Sequence, residues 1–229
     1  MSSHQVRRSR SGASAKTHES AGGAKRADIL AAATERFGRD GYEHTKWADI
    51  AADVGVGPTA LYHYFESKQH CLFVIVDEAI RDFLIRFTAI NKAADDPLKV
   101  LAVVMEDCFD LSEREVLRNR LLVSEQGLLT GQQGSPREEE ARHAARARMR
   151  ELEFAWASFL SEAMRRGVIP EADPRMLTRA IVGLYASIWQ WYRPNGIHTL
   201  RELADFYNER ALAIMGLDAD GAIRPRRVA

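Results

Sequence analysis

Residues 57–68, GPTALYHYFESK, bring hydroxyl, imidazole and ammonium groups together at helical spacing. Thr59, Tyr62 and His63 fall three and four positions apart, so they share the outward face of a short helix, with Tyr64 at its end. Such side chains donate and accept hydrogen bonds without carrying a fixed charge, which suits base edges and phosphate oxygens. Lys68 follows where a new helix begins, and there its charge and the helix N-terminus would both favour a phosphate. Thr45 and Lys46 offer the same chemistry upstream.

Two short helices must hold these groups still. The first is expected over about Lys46–Val54, with Thr45 as N-cap and Ile50, Ala51 and Val54 turned inward. The second starts at Gly57-Pro58, where a first-turn proline loses no hydrogen bond, and it buries Leu61 and Phe65. Val54-Gly55-Val56-Gly57 joins them, and Gly55 supplies the positive φ that a tight turn needs. Ahead of the pair, Ile29, Leu30, Ala33 and Phe37 form one apolar helical face, and Gly41 stands at the C-cap position. Val54, Val56 and Leu61 would lock the short helices to each other and to Phe37. The pattern is a helix-turn-helix, whose second helix can lie in a major groove. Ser67 then caps a long helix running to about Thr88.

Phe37, Gly41, Thr45, Ile50-Ala51, Gly55-Val56, Leu61-Tyr62-His63-Tyr64-Phe65 and Ser67-Lys68 stand in an order that resembles the TetR family of bacterial transcriptional regulators. The resemblance implies that Thr45 and Tyr64 anchor phosphates, that Thr59, Ala60, Tyr62 and His63 face the groove, and that Lys68 holds the DNA backbone. It also implies a homodimeric repressor that binds a double-stranded, palindromic operator and is released by a small lipophilic effector. The chain departs from the family pattern at three places. Gly57 replaces the usual serine cap, Pro58 follows it, and Lys46 stands where Ser, Thr or Val is common. Lys46 is the candidate to replace the lost phosphate contact.

Composition narrows the alternatives. The chain has 229 residues, 32 Lys+Arg against 32 Asp+Glu, and 46% hydrophobic residues, as in an ordinary globular protein. Bulk charge therefore does not announce a nucleic-acid partner. The charge is uneven, however: Arg7, Arg8, Arg10, Lys16, Lys25 and Arg26 face only Glu19 over residues 1–26. Residues 1–23 are poor in large apolar side chains and read as a disordered basic arm, either a flexible solvated tail or a segment that tracks phosphates or enters a minor groove. Cys71 and Cys108 are too far apart for a Cys-x-x-Cys site, and His63 and His70 miss the i,i+4 spacing of a helical metal pair. Gly55-Val-Gly57-Pro-Thr-Ala60 matches a dinucleotide fingerprint in letters only, since a helix and not a strand precedes it. No catalytic set, cofactor, metal, membrane span or secretion signal is expected, and the cytoplasm is the expected compartment.

The remainder reads as helical: about nine helices in all, no sheet, an all-α fold. A helix-turn-helix domain over 24–70 precedes a larger domain over 71–217 and a flexible tail over 218–229. Asp96-Pro97 and Asp173-Pro174 pair an N-cap acid with a first-turn proline. Ser112-x-x-Glu115, Ser135-x-x-Glu138 and Thr199-x-x-Glu202 fit the capping box. Gly127–Gly134 reads as a loop before a long helix over Pro136–Arg166.

By resemblance, the helices of about 71–88, 97–111, 136–166 and 174–192 enclose an effector pocket. Its candidate lining is Phe83, Phe87, Met105, Phe109, Trp156, Phe159, Tyr185 and Trp189. The last two helices, with Leu177, Ile181, Leu184, Ile188, Leu203, Phe206 and Tyr207, are the candidate dimer interface. Trp189-x-Trp191-Tyr192-Arg193-Pro194-x-Gly196 resembles the end of a family subset that answers to acyl-CoA thioesters. Two other readings stay open. An all-α carrier or enzyme would need an acid–base or nucleophile set that the sequence does not display, and an effector-independent activator would have a solid second domain.

Overall fold

The computed structural model describes residues 11–131 and 134–223, with side chains from residue 22 onward. Its order is α1 (Ser11–Asp40), α2 (Trp47–Asp53), α3 (Pro58–Leu61), α4 (Lys68–Ala93), α5 (Pro97–Asp107), α6 (Glu113–Ser124), α7 (Gln126–Thr130), α8 (Pro136–Arg165), α9 (Pro174–Trp191) and α10 (Leu200–Ile214). Among the described residues there is no strand, and a single bridge joins Leu217 to Ile223. Ten helices thus replace the expected nine. The additional one, α7, occupies part of the stretch read as a loop.

The N-terminal boundary also moves. α1 begins at Ser11, inside the segment expected to be disordered. Once Lys25–Asp40 is packed, each further residue adds a helical hydrogen bond without a new nucleation cost, so the helix extends outward through weak helix formers. Residues 1–10 of the expected arm lie outside the described residues, as do residues 224–229 of the expected tail. The first part of that tail is ordered. Asp218 Oδ1 accepts from the backbone N–H groups of Asp220 and Ala222, and Gly221 turns at φ +80°.

Local caps follow the sequence closely. Ser112, Ser135 and Thr199 form reciprocal capping boxes with Glu115, Glu138 and Glu202. Asp96 and Asp173 cap α5 and α9 ahead of first-turn prolines. Ser67 caps α4, which continues past Thr88 to Ala93.

Two apolar cores hold the helices. The first joins Ile29, Ala33 and Phe37 of α1 to Ile50, Ala51, Leu61 and Phe65, and it continues along α4 through Leu72, Ile75 and Ile80. The second gathers α5, α8, α9 and α10 around Val104, Trp156, Leu160, Ile181 and Ile188. α4 spans both, so residue 70 is a boundary of sequence and not of packing. α4 and α8 run side by side in the same direction, because Asp77 meets Arg148 and Phe87 meets Trp156. Buried Cys71 and half-buried Cys108 are both free thiols. Among the described residues no helix is long and apolar enough to cross a membrane.

The expected dimer residues divide. Leu177, Ile181, Ile188 and Leu203 are buried within the chain's own second core, so they are corrected from interface to core. An amphipathic stripe identifies a buried face but not which partner covers it. Leu184 and Tyr207 are half-buried, and Phe206 is 52% exposed. Met176, Trp191 and Ile214 are also exposed on these helices.

Candidate functional site

α2 and α3 cross at the turn over 54–57, where Gly55 adopts φ +66°. Leu61 and Phe65 are both fully buried, so they fix the short α3 from below. α2 is held on α1 by the Arg36 guanidinium, which donates to both Asp53 carboxylate oxygens at 2.6 and 2.8 Å. The Lys25 ammonium adds a bond to the Val54 carbonyl at 3.2 Å. Arg26 lies over the Phe65 ring at 5.1 Å.

On this base, Lys46, Gly57, Pro58, Thr59, Tyr62 and His63 are exposed along one ridge, and Ala60 and Tyr64 are half-buried beside it. α3 has only one α-helical turn where about two were expected. Tyr64 N–H reaches back three residues to Leu61 and His63 N–H three to Ala60, so the chain tightens directly after Leu61. Gly57 is the N-cap of α3 and offers no side-chain cap.

Two expected phosphate ligands are otherwise engaged. Thr45 does not cap α2; Lys46 occupies that position. The Thr45 side chain is buried, and its hydroxyl donates to the Gly41 carbonyl at 2.8 Å, so its one donor is already used. The Lys68 ammonium donates to the carbonyls of Tyr42 at 2.6 Å and Thr45 at 3.1 Å and lies 4.2 Å from the Tyr42 ring centre. It pins the α1–α2 turn with two of its three donors. Sequence spacing could not reveal this, because the partners are 23 and 26 residues away.

The second domain contains a mostly apolar cavity of about 890 Å³, with the open volume at its mouth included. Phe83, Trp156, Tyr185 and Trp189 line it, as expected by resemblance. Phe87, Met105, Phe109 and Phe159 instead belong to the packed layer behind. Phe87 contacts Trp156 and Phe159, and Phe109 meets Tyr185 edge-on. The sequence reading missed a charged wall of Asp82 and Arg86 on α4 with Glu115, Arg118 and Asn119 on α6. Their i,i+3 and i,i+4 spacing on α4 and α6 was the available signal.

That wall is internally neutralised. Arg86 donates to Asp107 at 3.0–3.1 Å and to Glu115 at 3.2 Å. Both Arg118 terminal nitrogens reach Asp82 at 3.0 Å. Burial would raise the Glu115 carboxyl, but hydrogen bonds from Ser112 and the charge of Arg86 outweigh it and hold it below the usual range. Burial pushes the Tyr185 phenol up, and its hydroxyl donates to Asn208 at 2.8 Å. Burial also pushes the Cys108 thiol up to about 12, so it stays protonated and poorly nucleophilic at neutral pH. Among the described residues no group of three or more His, Cys, Asp or Glu could hold a metal.

α6 lies between this cavity and α1. Arg118 and Leu122 line the cavity, whereas Leu117 meets α1 so closely that a Cβ at Gly38 would lie 2.7 Å from its side chain. A change in cavity shape thus has a short packed path to the domain carrying α3.

Comparison with known proteins agrees with this geometry. Residues 29–75 match the family model described as bacterial regulatory proteins, tetR family, and residues 120–215 match the tetracyclin repressor-like C-terminal domain. The transcriptional repressor KstR2 of Mycobacterium tuberculosis H37Rv is 26% identical over 204 residues, covering 86% of this chain and 94% of that protein. A crystal structure of AibR in complex with isovaleryl coenzyme A and operator DNA has a TM-score of 0.66 at 25% identity. It covers 81% of this chain and 97% of that one. PfmR, a TetR-family regulator from Thermus thermophilus, gives 0.64 at 26% identity, covering 82% and 96%.

Proposed function

The chain belongs to the TetR family of bacterial regulatory proteins, and from that premise we propose that it is a homodimeric, sequence-specific transcriptional repressor released by an acyl thioester of coenzyme A. The observation that carries the DNA-binding part is the exposure of Thr59, Tyr62 and His63 on α3 and the tight turn that follows it, whose inner residues, Leu61 and Phe65, are fully buried. Rigid placement matters because base contacts discriminate only when their donors arrive already oriented. Such a protein acts in the cytoplasm, where its operator lies.

Two copies are required. Recognition helices on a palindrome must reach half-sites about 34–36 Å apart, or a multiple of that distance. The exposed Met176, Trp191, Phe206 and Ile214 of α9 and α10, together with Leu184 and Tyr207, form the apolar face that a second copy would cover.

The effector class follows from the cavity's charge. Both guanidiniums in its wall already have carboxylate partners, so no cation is left for the carboxylate of a free fatty acid. An esterified acyl group suits apolar walls with a neutral polar side, and AibR was crystallised with such a thioester. Binding would displace α6 and, through Leu117 and Gly38, alter the separation of the recognition helices. To reverse a 99:1 occupancy, the thioester must favour the DNA-incompetent state by about 10⁴-fold, or about 5.5 kcal/mol.

The recognition role is tested by measuring base preference for His63→Ala and Thr59→Ala. A base-reading side chain shifts discrimination at its position by about 1–3 kcal/mol. Two variants with the parent's affinity and preference would overturn the assignment of this ridge as the reading surface.

A further inference from the structure

A second cavity lies where the two domains meet. The last turn of α1 from Phe37 to Gly41 forms one wall, and α6 and the end of α9 form the others. Its volume is about 1090 Å³, open space included. Trp189 lines both this cavity and the apolar one, so the two adjoin at that residue.

The two cavities differ in charge. Arg39, Arg120 and Arg193 all line the second. Arg39 is paired with Glu35 at 3.0 Å, but Arg120 and Arg193 have no carboxylate partner among the described residues. Arg193 donates only to the Tyr192 carbonyl. Of the two acids on the same lining, Asp40 lies 3.5 Å from Arg36, whereas Glu125 accepts only from the neighbouring Ser124 hydroxyl at 3.0 Å and keeps its charge, so the three arginines outnumber the two acids. Burial, and then the neighbouring charge of Arg193, push the Arg120 pKa down. Two like charges, one of them partly desolvated, are unfavourable in the empty protein and become favourable once an anion joins them.

We propose that this cavity binds the phosphates of the effector, with Arg120 and Arg193 as their ligands, while the acyl group passes Trp189 into the apolar cavity. The inference rests on the coenzyme A thioester reading and adds a phosphate site to it. One bound molecule would then touch both the effector domain and α1, so phosphate binding bears directly on the helix that supports α2 and α3. An acyl group without its phosphates would reach only the apolar cavity.

Calorimetric titration of the full chain with two probes, octanoyl-CoA and the octanoyl thioester of N-acetylcysteamine, separates the possibilities. The second carries the same acyl thioester but no phosphate. The expected result is that the CoA ester binds at least about tenfold more tightly, and that the double variant Arg120→Gln/Arg193→Gln loses this preference. Equal affinity of the parent chain for the two esters overturns the phosphate site and leaves the thioester reading standing. So does a double variant that keeps the full preference. Binding of neither ester by the parent chain overturns the effector reading and the site together.

Discussion

Replacing Lys68 with Met separates two kinds of contribution to DNA binding. In the free protein the ammonium bonds the Tyr42 carbonyl at 2.6 Å and the Thr45 carbonyl at 3.1 Å, and it lies 4.2 Å from the Tyr42 ring. A hydrogen bond from a charged donor contributes about 1.5–3 kcal/mol, and partial exposure places this half-buried pair near the lower end. Methionine keeps the apolar stem but leaves both carbonyls without that donor. The α1–α2 turn, which carries Lys46 into the ridge, should loosen by about 2 kcal/mol, and DNA affinity should fall by about 10- to 30-fold. The deciding readout is fluorescence anisotropy over a salt series. Removing a phosphate ligand lowers the slope of log K against log salt by about 0.9, whereas loosening a turn lowers affinity equally at every salt. An unchanged slope is expected. A slope reduced by about one, with the thermal midpoint unaltered, would show that Lys68 leaves its carbonyls to bind DNA.

Three further substitutions probe the interface, the coupling path and the acid response. Gly183 lies on the outer side of α9 with nothing within 4 Å of an added Cβ, so Gly183→Glu should leave the monomer folded, gain helix propensity of about 0.5–1 kcal/mol and halve the mass in light scattering; a mass unchanged from the parent's would place the dimer contact elsewhere. Gly38→Ala brings a methyl to 2.7 Å from Leu117 and should lower the thermal midpoint by an overpacking cost of about 1–3 kcal/mol while blunting thioester-driven release; a raised midpoint would contradict the close α1–α6 contact. His70 accepts a hydrogen bond from the Glu66 N–H, and burial, then Arg137, hold its imidazole below the ordinary 6.5, with Arg26 acting in the same sense and Glu66 and Glu138 opposing. The unfolded chain therefore takes up a proton first as pH falls, so the stability that neutral His70 contributes is full above 6.5 and is lost as pH falls through the folded value. Between about pH 7.5 and about pH 5.5 the parent's melting temperature should drop more than that of His70→Gln, and equal drops would exclude His70 as a contributor.

Features set by neighbours in sequence were legible; those set by distant partners were not. Gly41 and Gly55 adopt the positive φ that their turn positions require, and all three capping boxes form, because each needs only four consecutive residues. The inward faces of α1 and α2 follow from periodicity alone. The role of Lys68 depends on carbonyls delivered by the α1–α2 turn, and Asp82 meets Arg118 across 36 residues. The apolar stripe of α9 announced burial correctly at Ile188, yet the covering partner is the chain's own core and not a second copy. For the same reason four of the aromatic and methionine residues read as cavity lining proved to be the layer that supports it.

Selection of bound fragments from genomic DNA, followed by anisotropy on the recovered site with and without octanoyl-CoA, tests the regulator most directly. The expected outcome is a palindromic site with two half-sites one or more helical turns apart, bound by two chains and released by the thioester. Salt-sensitive binding that never distinguishes one fragment from another, in protein shown by denaturing extraction to hold no ligand, would contradict it.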